Sequence, residues 1–576
     1  MAKADLMEMQ QQKGGYDAVN TTSSSGNTDD GTRNNNHHHE SGVYPYTTDG
    51  GTGDSTLRRL FSFWQLLAFA LIFMSSWEVM AMDMGATFYN GGPQTLAWGI
   101  VLVVVGAMAQ ALSMAELATI QPIAGAQYHW THFLAPEKHR RFITWMQGWV
   151  TWFAWVSALA GSAASEANIM IGLVSTNYPS YTFQPWHITM VIIAQLVACA
   201  LINMYAFRTI PWMELLAGVL HVVLWLVFVV VLLTLAPRAS AEFVFFERTV
   251  SSGWTNGFVS WNIGMLVPAW GFIGFDGVVH MAEETKKAKQ AVPRAMLWTI
   301  ILNGVLSYGI ILAILFGMGG DPATTEAILS SDYPIIPLLF NAAGPAAGTA
   351  MVVGLLVITF CVVAASLASV SRITWAWARD GGLPRYFAKI HPTHRVPIRS
   401  VWLPCVIVTC LSLFTVGNNA TATVFSAFTA LSSLGLYGSY IIAISCMLHA
   451  RLTGRIGHGA GYQVQYGGWS LPKGWGTPIN VYALLWSMYL SVWLPFPQTI
   501  PVTGTEMNYA GPIYVVVVVG ASMVKLHTTS VPSYTLTYVL GGTSGMKRKN
   551  ESDGLLGLTY FSTIILSDLA TGDSSG

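Results

Sequence analysis

Residues 270–277 read Trp270-Gly271-Phe272-Ile273-Gly274-Phe275-Asp276-Gly277, three glycines and an acid inside an otherwise apolar stretch that starts near Phe258. Each glycine weakens a helix by about 1 kcal/mol relative to alanine, so unwinding is cheap here. A second interruption stands at Met74-Ser75-Ser76-Trp77-Glu78, where two hydroxyls and a carboxylate fall in the middle of the apolar run from Phe61. Hydrocarbon offers no partner to a freed backbone group, so irregular backbone at that depth is kept only where protein or a cavity surrounds it. Two such breaks at matching places in two halves of a chain point to a binding site near the membrane midplane.

The rest of the chain sets these breaks in a frame. Hydrophobic residues make up 53% and charged residues 10%, against roughly a quarter charged in a soluble domain. Twelve apolar stretches begin near Phe61, Thr95, Phe142, His187, Trp212, Phe258, Ala295, Ala346, Val401, Val424, Pro478 and Pro512. Each needs about 20 residues to cross ~30 Å of hydrocarbon. With the amino terminus in the cytoplasm, 26 of the 28 Lys and Arg fall on the inward side, leaving only Arg238 and Arg248 outside. Retention of positive charge on the cytoplasmic face supports both the count and the orientation. The breaks lie in spans 1 and 6, the first members of two five-span sets, 61–236 and 258–448. An odd number of spans per set turns the second set upside down.

The sequence therefore predicts an all-α membrane protein with twelve transmembrane helices, a 5+5 inverted repeat and discontinuous helices 1 and 6. The transporter domain is expected over 57–524, with helices 11 and 12 (478–524) outside the repeat. Residues 1–56 are poor in apolar side chains and are expected to be a disordered cytoplasmic tail; its run His37-His38-His39 reads as low complexity. Without a basic-then-apolar leader at the start, span 1 is expected to serve as its own insertion signal. Residues 525–576 form a Ser/Thr/Gly-rich tail that diverges from what precedes it. Asn419-Ala420-Thr421 is a glycosylation sequon on the expected outer side. Five cysteines, all inside apolar stretches, read as small buried hydrophobes. No cofactor or metal site is indicated, and the absence of a basic stripe argues against nucleic acid. The external loops are too short for an enzymatic domain. With no phosphate-cradling motif, transport must draw on an ion gradient or on the solute's own gradient.

Around these breaks the chain resembles the fungal amino acid/choline transporter family, within the amino acid–polyamine–choline superfamily. The resemblance is carried by GFDGVVHMAEETKKAKQAVPRAM (Gly274 to Met296), FSFWQLLAFALIFMSSWEVMAMDMGATFYNGGP (Phe61 to Pro93), ELATIQPIAGAQYHW (Glu116 to Trp130) and SRITWAWARDGGLP (Ser371 to Pro384). It covers roughly 57–523 and implies a permease of the plasma membrane for γ-aminobutyrate, choline or other amines and amino acids, usually coupled to proton symport. An exchanger, a vacuolar carrier and a non-transporting nutrient sensor stay open as alternatives. Two departures stand out. The last apolar run, Pro512 to Val524, is short and meets Lys525 and His527, and Met80 to Met84 is unusually rich in Met and acid.

Glu78 is the first candidate for chemistry. An unpaired carboxylate in a bilayer is costly, so it pairs with a substrate ammonium or carries the coupled proton. Trp77, Trp270, Phe272 and Phe275 flank the breaks and offer aromatic faces to a cation. Freed amides near Ser75, Ser76, Gly271 and Gly274 would suit a substrate carboxylate. Asp276, His280, Glu283 and Glu284 follow break 6; α-helical spacing puts Asp276, His280 and Glu283 on one face, as a proton relay or a gate with Arg372 or Arg379. Glu116 and the Pro122–Gly125–Gln127 segment read as an inner hinge. Glu214 reads as a helix cap, and Glu166, with Asn168, as bordering the access path.

Overall fold

The structure is a computed structural model that describes residues 57–416, 421–458, 461–504 and 507–530, the side chains of 421–423 and 526–530 excepted. The long helices are α1 (Phe63–Met74), α2 (Ser76–Asp83), α3 (Gly92–Ile120), α4 (Gln127–Leu134), α5 (Arg140–Asn177), α6 (Pro185–Tyr205), α7 (Ile210–Leu235), α8 (Gly257–Gly264), α9 (Leu266–Gly271), α10 (Ala288–Phe316), α11 (Ile335–Arg379), α12 (Ile398–Ser412), α13 (Thr421–Leu452), α14 (Gly476–Trp493) and α15 (Ala510–Ser530). Among the described residues, nine helical segments are long and apolar enough to cross a membrane.

Three further helices stand where spans 3, 11 and 12 were expected, and each departs from a plain apolar span for a physical reason. The 38-residue α5 carries Gln147, Thr151, Ser157 and Glu166, all buried against neighbouring helices instead of facing lipid. Helix α14 buries Asn480 and Ser487 against Ser113 and Gln110 of α3. Helix α15 continues through Lys525 to Ser530, past the boundary expected at Val524. Lys525 places its ammonium 5.2 Å from the Trp145 ring at the bundle's edge, so the charge is met by an aromatic face and the helix goes on.

Burial sorts the helices into centre and periphery. Within the most apolar 18 residues of each, 94% are buried in Phe63–Asp83 and only 28% in Phe207–Leu235, so the broken helix occupies the middle and α7 shows an apolar flank outward. Leu216, Val219, Val223, Leu226 and Val230 make up that flank. Cys199, Cys361, Cys405 and Cys446 are buried as expected, but Cys410 is exposed on α12. The tails 1–56 and 531–576, with the histidine run, and the Asn419–Ala420 part of the sequon lie outside the described residues.

Candidate functional site

Both interruptions are real. Helix α1 ends at Ser75, whose φ of 40° and ψ of 46° are left-handed, and α2 restarts at Ser76. The other break runs from Phe272 to Gly274, where Gly274 has a φ of 87°, and the chain resumes as a 3-10 segment over Phe275–Glu284. Only a residue without Cβ adopts that φ at little cost.

The two breaks lie against each other. A Cβ on Gly271 would come within 2.6 Å of the Met80 side chain, and one on Gly277 within 2.6 Å of Phe73. Glycine at these positions therefore sets the close approach of α9 to α2 and of the 3-10 segment to α1. This tightness has a consequence for the expected binding residues. Ser75, Ser76, Trp77, Glu78, Gly271, Phe272, Gly274 and Phe275 are all buried. Of the nine expected substrate-binding residues, only Trp270 lines the cavity of about 230 Å³ that stands on one side of the breaks.

That cavity has the chemistry of a cation site. Among the described lining residues, Asp83 and Asp332 are the acids, Tyr89, Trp270, Tyr333 and Phe425 the main aromatics, and none is basic. Asp83 is held by the Ser165 hydroxyl, which donates at 3.0 Å. Asn168 also lines the cavity, whereas Glu166 does not.

Glu78 faces away from this cavity, into α7. Its Oε1 lies 2.6 Å from Nδ1 of His221, and both side chains have no exposed surface. The Trp77 indole N–H also points at His221 Nδ1, at 3.0 Å. An indole only donates, and an imidazole nitrogen offers one in-plane position, so Trp77 and Glu78 contest a single site. Glu78 Oε2 and His221 Nε2 have no protein partner. His221 was missed in the sequence. The available signal was a lone ionisable residue deep in an apolar run, which within a membrane is a functional candidate by default.

The residues after break 6 are arranged differently from expectation. A 3-10 segment has three residues per turn, so side chains three apart eclipse and those four apart diverge. His280 and Glu283 accordingly grip one residue: His280 Nδ1–H donates to the Ala124 carbonyl at 2.7 Å, and Glu283 accepts from the Ala124 amide at 3.3 Å. Asp276 points elsewhere, accepting from the Tyr440 hydroxyl at 2.5 Å and from Gln127. Tyr440 also accepts from the Gly274 amide at 3.2 Å, which ties α13 to the break itself. The Pro122–Gly125–Gln127 segment, expected as an inner hinge, is thus docked onto the 3-10 segment through Ala124, and its Gln127 is a further anchor. Nothing in the sequence marks Tyr440.

The side away from the cavity is closed by charge. Arg372 Nε donates to Glu284 at 2.8 Å, with exposures of 0% and 2%. Arg379 meets Glu283 at 3.4 Å and Asp380 at 3.2 Å. Burial alone would raise the Asp380 carboxyl, but hydrogen bonds from His129 and Tyr128 and the charge of Arg379 hold it below the usual carboxylate range. Glu116 accepts from Arg451 and from the Leu471 amide. Glu214 does not cap α7: it lies inside the first turns, fully buried, with both oxygens lacking a protein partner.

Comparison with known proteins gives a consistent picture. The profile of the amino acid permease family matches residues 61–519. A choline transporter of Saccharomyces cerevisiae is 29% identical over 467 residues, covering 79% of this chain and 79% of its own length. Amino-acid permease 2 of Neurospora crassa is 27% identical over 83% of this chain and 88% of its own. A swainsonine transporter of Arthroderma benhamiae is 28% identical over 76% of this chain and 85% of its own.

Proposed function

The chain belongs to the amino acid permease family, a multi-pass membrane transporter of amino acids or amines and not an enzyme, and from that premise we propose that it imports an amine-bearing solute such as choline or γ-aminobutyrate by proton symport. In this reading twelve helices cross the plasma membrane with the amino terminus in the cytoplasm. Helices α1–α7 and α8–α13 are the two inverted repeats of one transporter domain that ends with α15, flanked by the cytoplasmic tail 1–56 and the divergent carboxyl-terminal tail. The cavity above Trp270 faces outward and the Arg372–Glu284 side faces inward.

The observation that carries the reading is the contact between two broken helices beneath an acidic, aromatic cavity. A cationic solute is drawn to Asp83 and Asp332, and a desolvated ammonium over Trp270 gains about 2 kcal/mol. Passage beyond Trp270 requires the Gly271–Met80 contact to part, which exposes Ser75, Ser76, Trp77, Phe272, Gly274 and Phe275 to the solute. A substrate carboxylate, where present, would meet the freed amides at the start of α2. Inward release requires the Arg372–Glu284 and Arg379–Glu283 pairs to separate, with Asp276 and His280 on the moving segment.

Glu78 and His221 carry the proton. While Nδ1 is bare, Trp77 donates to it or a protonated Glu78 does; when the proton moves onto Nδ1, Trp77 loses its acceptor. Trp77 is the second residue of α2, one position past the break's edge, so the protonation state of this pair acts on the backbone that binds the solute.

Uptake of labelled choline and γ-aminobutyrate in a permease-deficient fungal strain tests this. Accumulation abolished by an uncoupler is expected, and Asp83→Asn should raise KM for the cation severalfold. Accumulation indifferent to the uncoupler would reject symport.

A further inference from the structure

A second cavity lies on the basic face, of about 510 Å³, between the chain entering α1, the α6–α7 link and the α11–α12 link. Arg58, Arg208, His394 and Arg395 converge on it. Among the described residues lining it, the only acid is Glu284, which is already engaged by Arg372. Among the described residues, Arg58, Arg208 and Arg395 make no ion pair with a carboxylate. Three guanidinium groups gathered without counter-charge repel one another, and their planar forks suit the oxygens of a phosphate.

The surroundings say from where such an anion arrives. Trp64 at the start of α1, Tyr205 at the end of α6 and Trp212 at the start of α7 are 70%, 61% and 68% exposed. Exposed Trp and Tyr at helix ends mark the depth of the headgroups. Just beyond them, Leu201 and Leu216 are also exposed, as expected of a surface against acyl chains. The cavity therefore opens where lipid headgroups lie and not towards bulk water alone.

We propose that this cavity binds the phosphorylated headgroup of an anionic phospholipid in the adjacent leaflet, held by Arg58, Arg208 and Arg395. Basic pockets between membrane helices on the cytoplasmic side are suited to such headgroups. The bound phosphate stands beside the inward ion pair, because Phe207 lines the cavity and carries the Arg372 guanidinium 4.0 Å above its ring. The inference is independent of substrate and of proton coupling.

The test titrates the purified full-length protein with short-chain phosphatidylinositol 4-phosphate and, in parallel, short-chain phosphatidylcholine. It reads binding by native mass spectrometry and stabilisation by thermal unfolding. The phosphoinositide is expected to bind and to raise Tm, with the gain shrinking between 0.1 and 0.5 M salt; each arginine involved should contribute roughly fivefold in affinity. Arg208→Gln/Arg395→Gln should bind about 25-fold more weakly, while Lys389→Ala, on the same link but outside the cavity, should bind as the wild type does. Equal stabilisation by both lipids, or undiminished binding by the double variant, overturns the site. Displacement of the phosphoinositide by inorganic phosphate at equal concentration overturns the lipid source in favour of a soluble anion. The wild-type salt and headgroup comparisons decide the matter even where the double variant fails to fold.

Discussion

Replacing Arg372 by methionine separates a buried ion pair from a solvated one. The substitution leaves the Glu284 carboxyl 2% exposed and without its 2.8 Å donor. To stay in place the carboxyl must be neutral, and protonating a group of ordinary pKa about 4.3 at pH 7 costs about 3.7 kcal/mol. That figure falls within the roughly 3–5 kcal/mol found when one partner of a buried pair is removed. Changing both residues, Arg372→Met with Glu284→Leu, removes the stranded charge, and buried pairs replaced by apolar groups of similar volume are often neutral. The double variant should therefore regain most of what Arg372→Met loses. The assay is denaturant or thermal unfolding of detergent-purified protein at pH 7 for the wild type, both single variants and the double. A loss under about 1 kcal/mol for Arg372→Met, the size expected of an exposed pair, would mean that water reaches Glu284 and that this side is not sealed as described.

Glu78→Gln should abolish uncoupler-sensitive accumulation while sparing counterflow exchange of the same solute; intact proton-driven accumulation would remove Glu78 from the coupling pair. Ser75 sits at a φ of 40°, so Ser75→Gly should be tolerated whereas Ser75→Val should cost about 1–2 kcal/mol in unfolding. Asp380 has its folded pKa depressed, so its stabilisation is fully present above the unfolded value near 3.9 and is lost as pH falls through the lower folded value. The Tm gap between wild type and Asp380→Asn should thus be flat from about pH 8 to 5 and close only in stronger acid; a gap that closes near neutrality would contradict it.

The two breaks were legible because their cause is local. Glycines and serines in an apolar run lower the cost of unwinding wherever they stand, and both interruptions fall at the residues that sequence indicates. What the breaks touch was not legible. His221 and Tyr440 meet Glu78 and Asp276 across more than 140 positions of chain, and no local pattern encodes such a pairing. The helical-face argument for Asp276, His280 and Glu283 failed on a geometric assumption, since the segment winds at three residues per turn. Burial of eight of the nine proposed binding residues was equally hidden, because it follows from how closely Gly271 and Gly277 let the halves approach. Helix α5 fell short as an apolar span for the converse reason: its polar residues serve the interior.

The two arginines that close the basic side ride on one rod. Helix α11 is kinked at Gly344, and from Pro345 to Arg379 it is about 50 Å long at ~1.5 Å per residue. A swing of roughly 10° about that kink carries its far end through about 9 Å, more than twice the ~4 Å reach of an ion pair. Arg372 and Arg379 share this lever and their partners Glu284 and Glu283 are consecutive, so a swing of that size would draw on both pairs together. Moved that way, the closure would act as one latch.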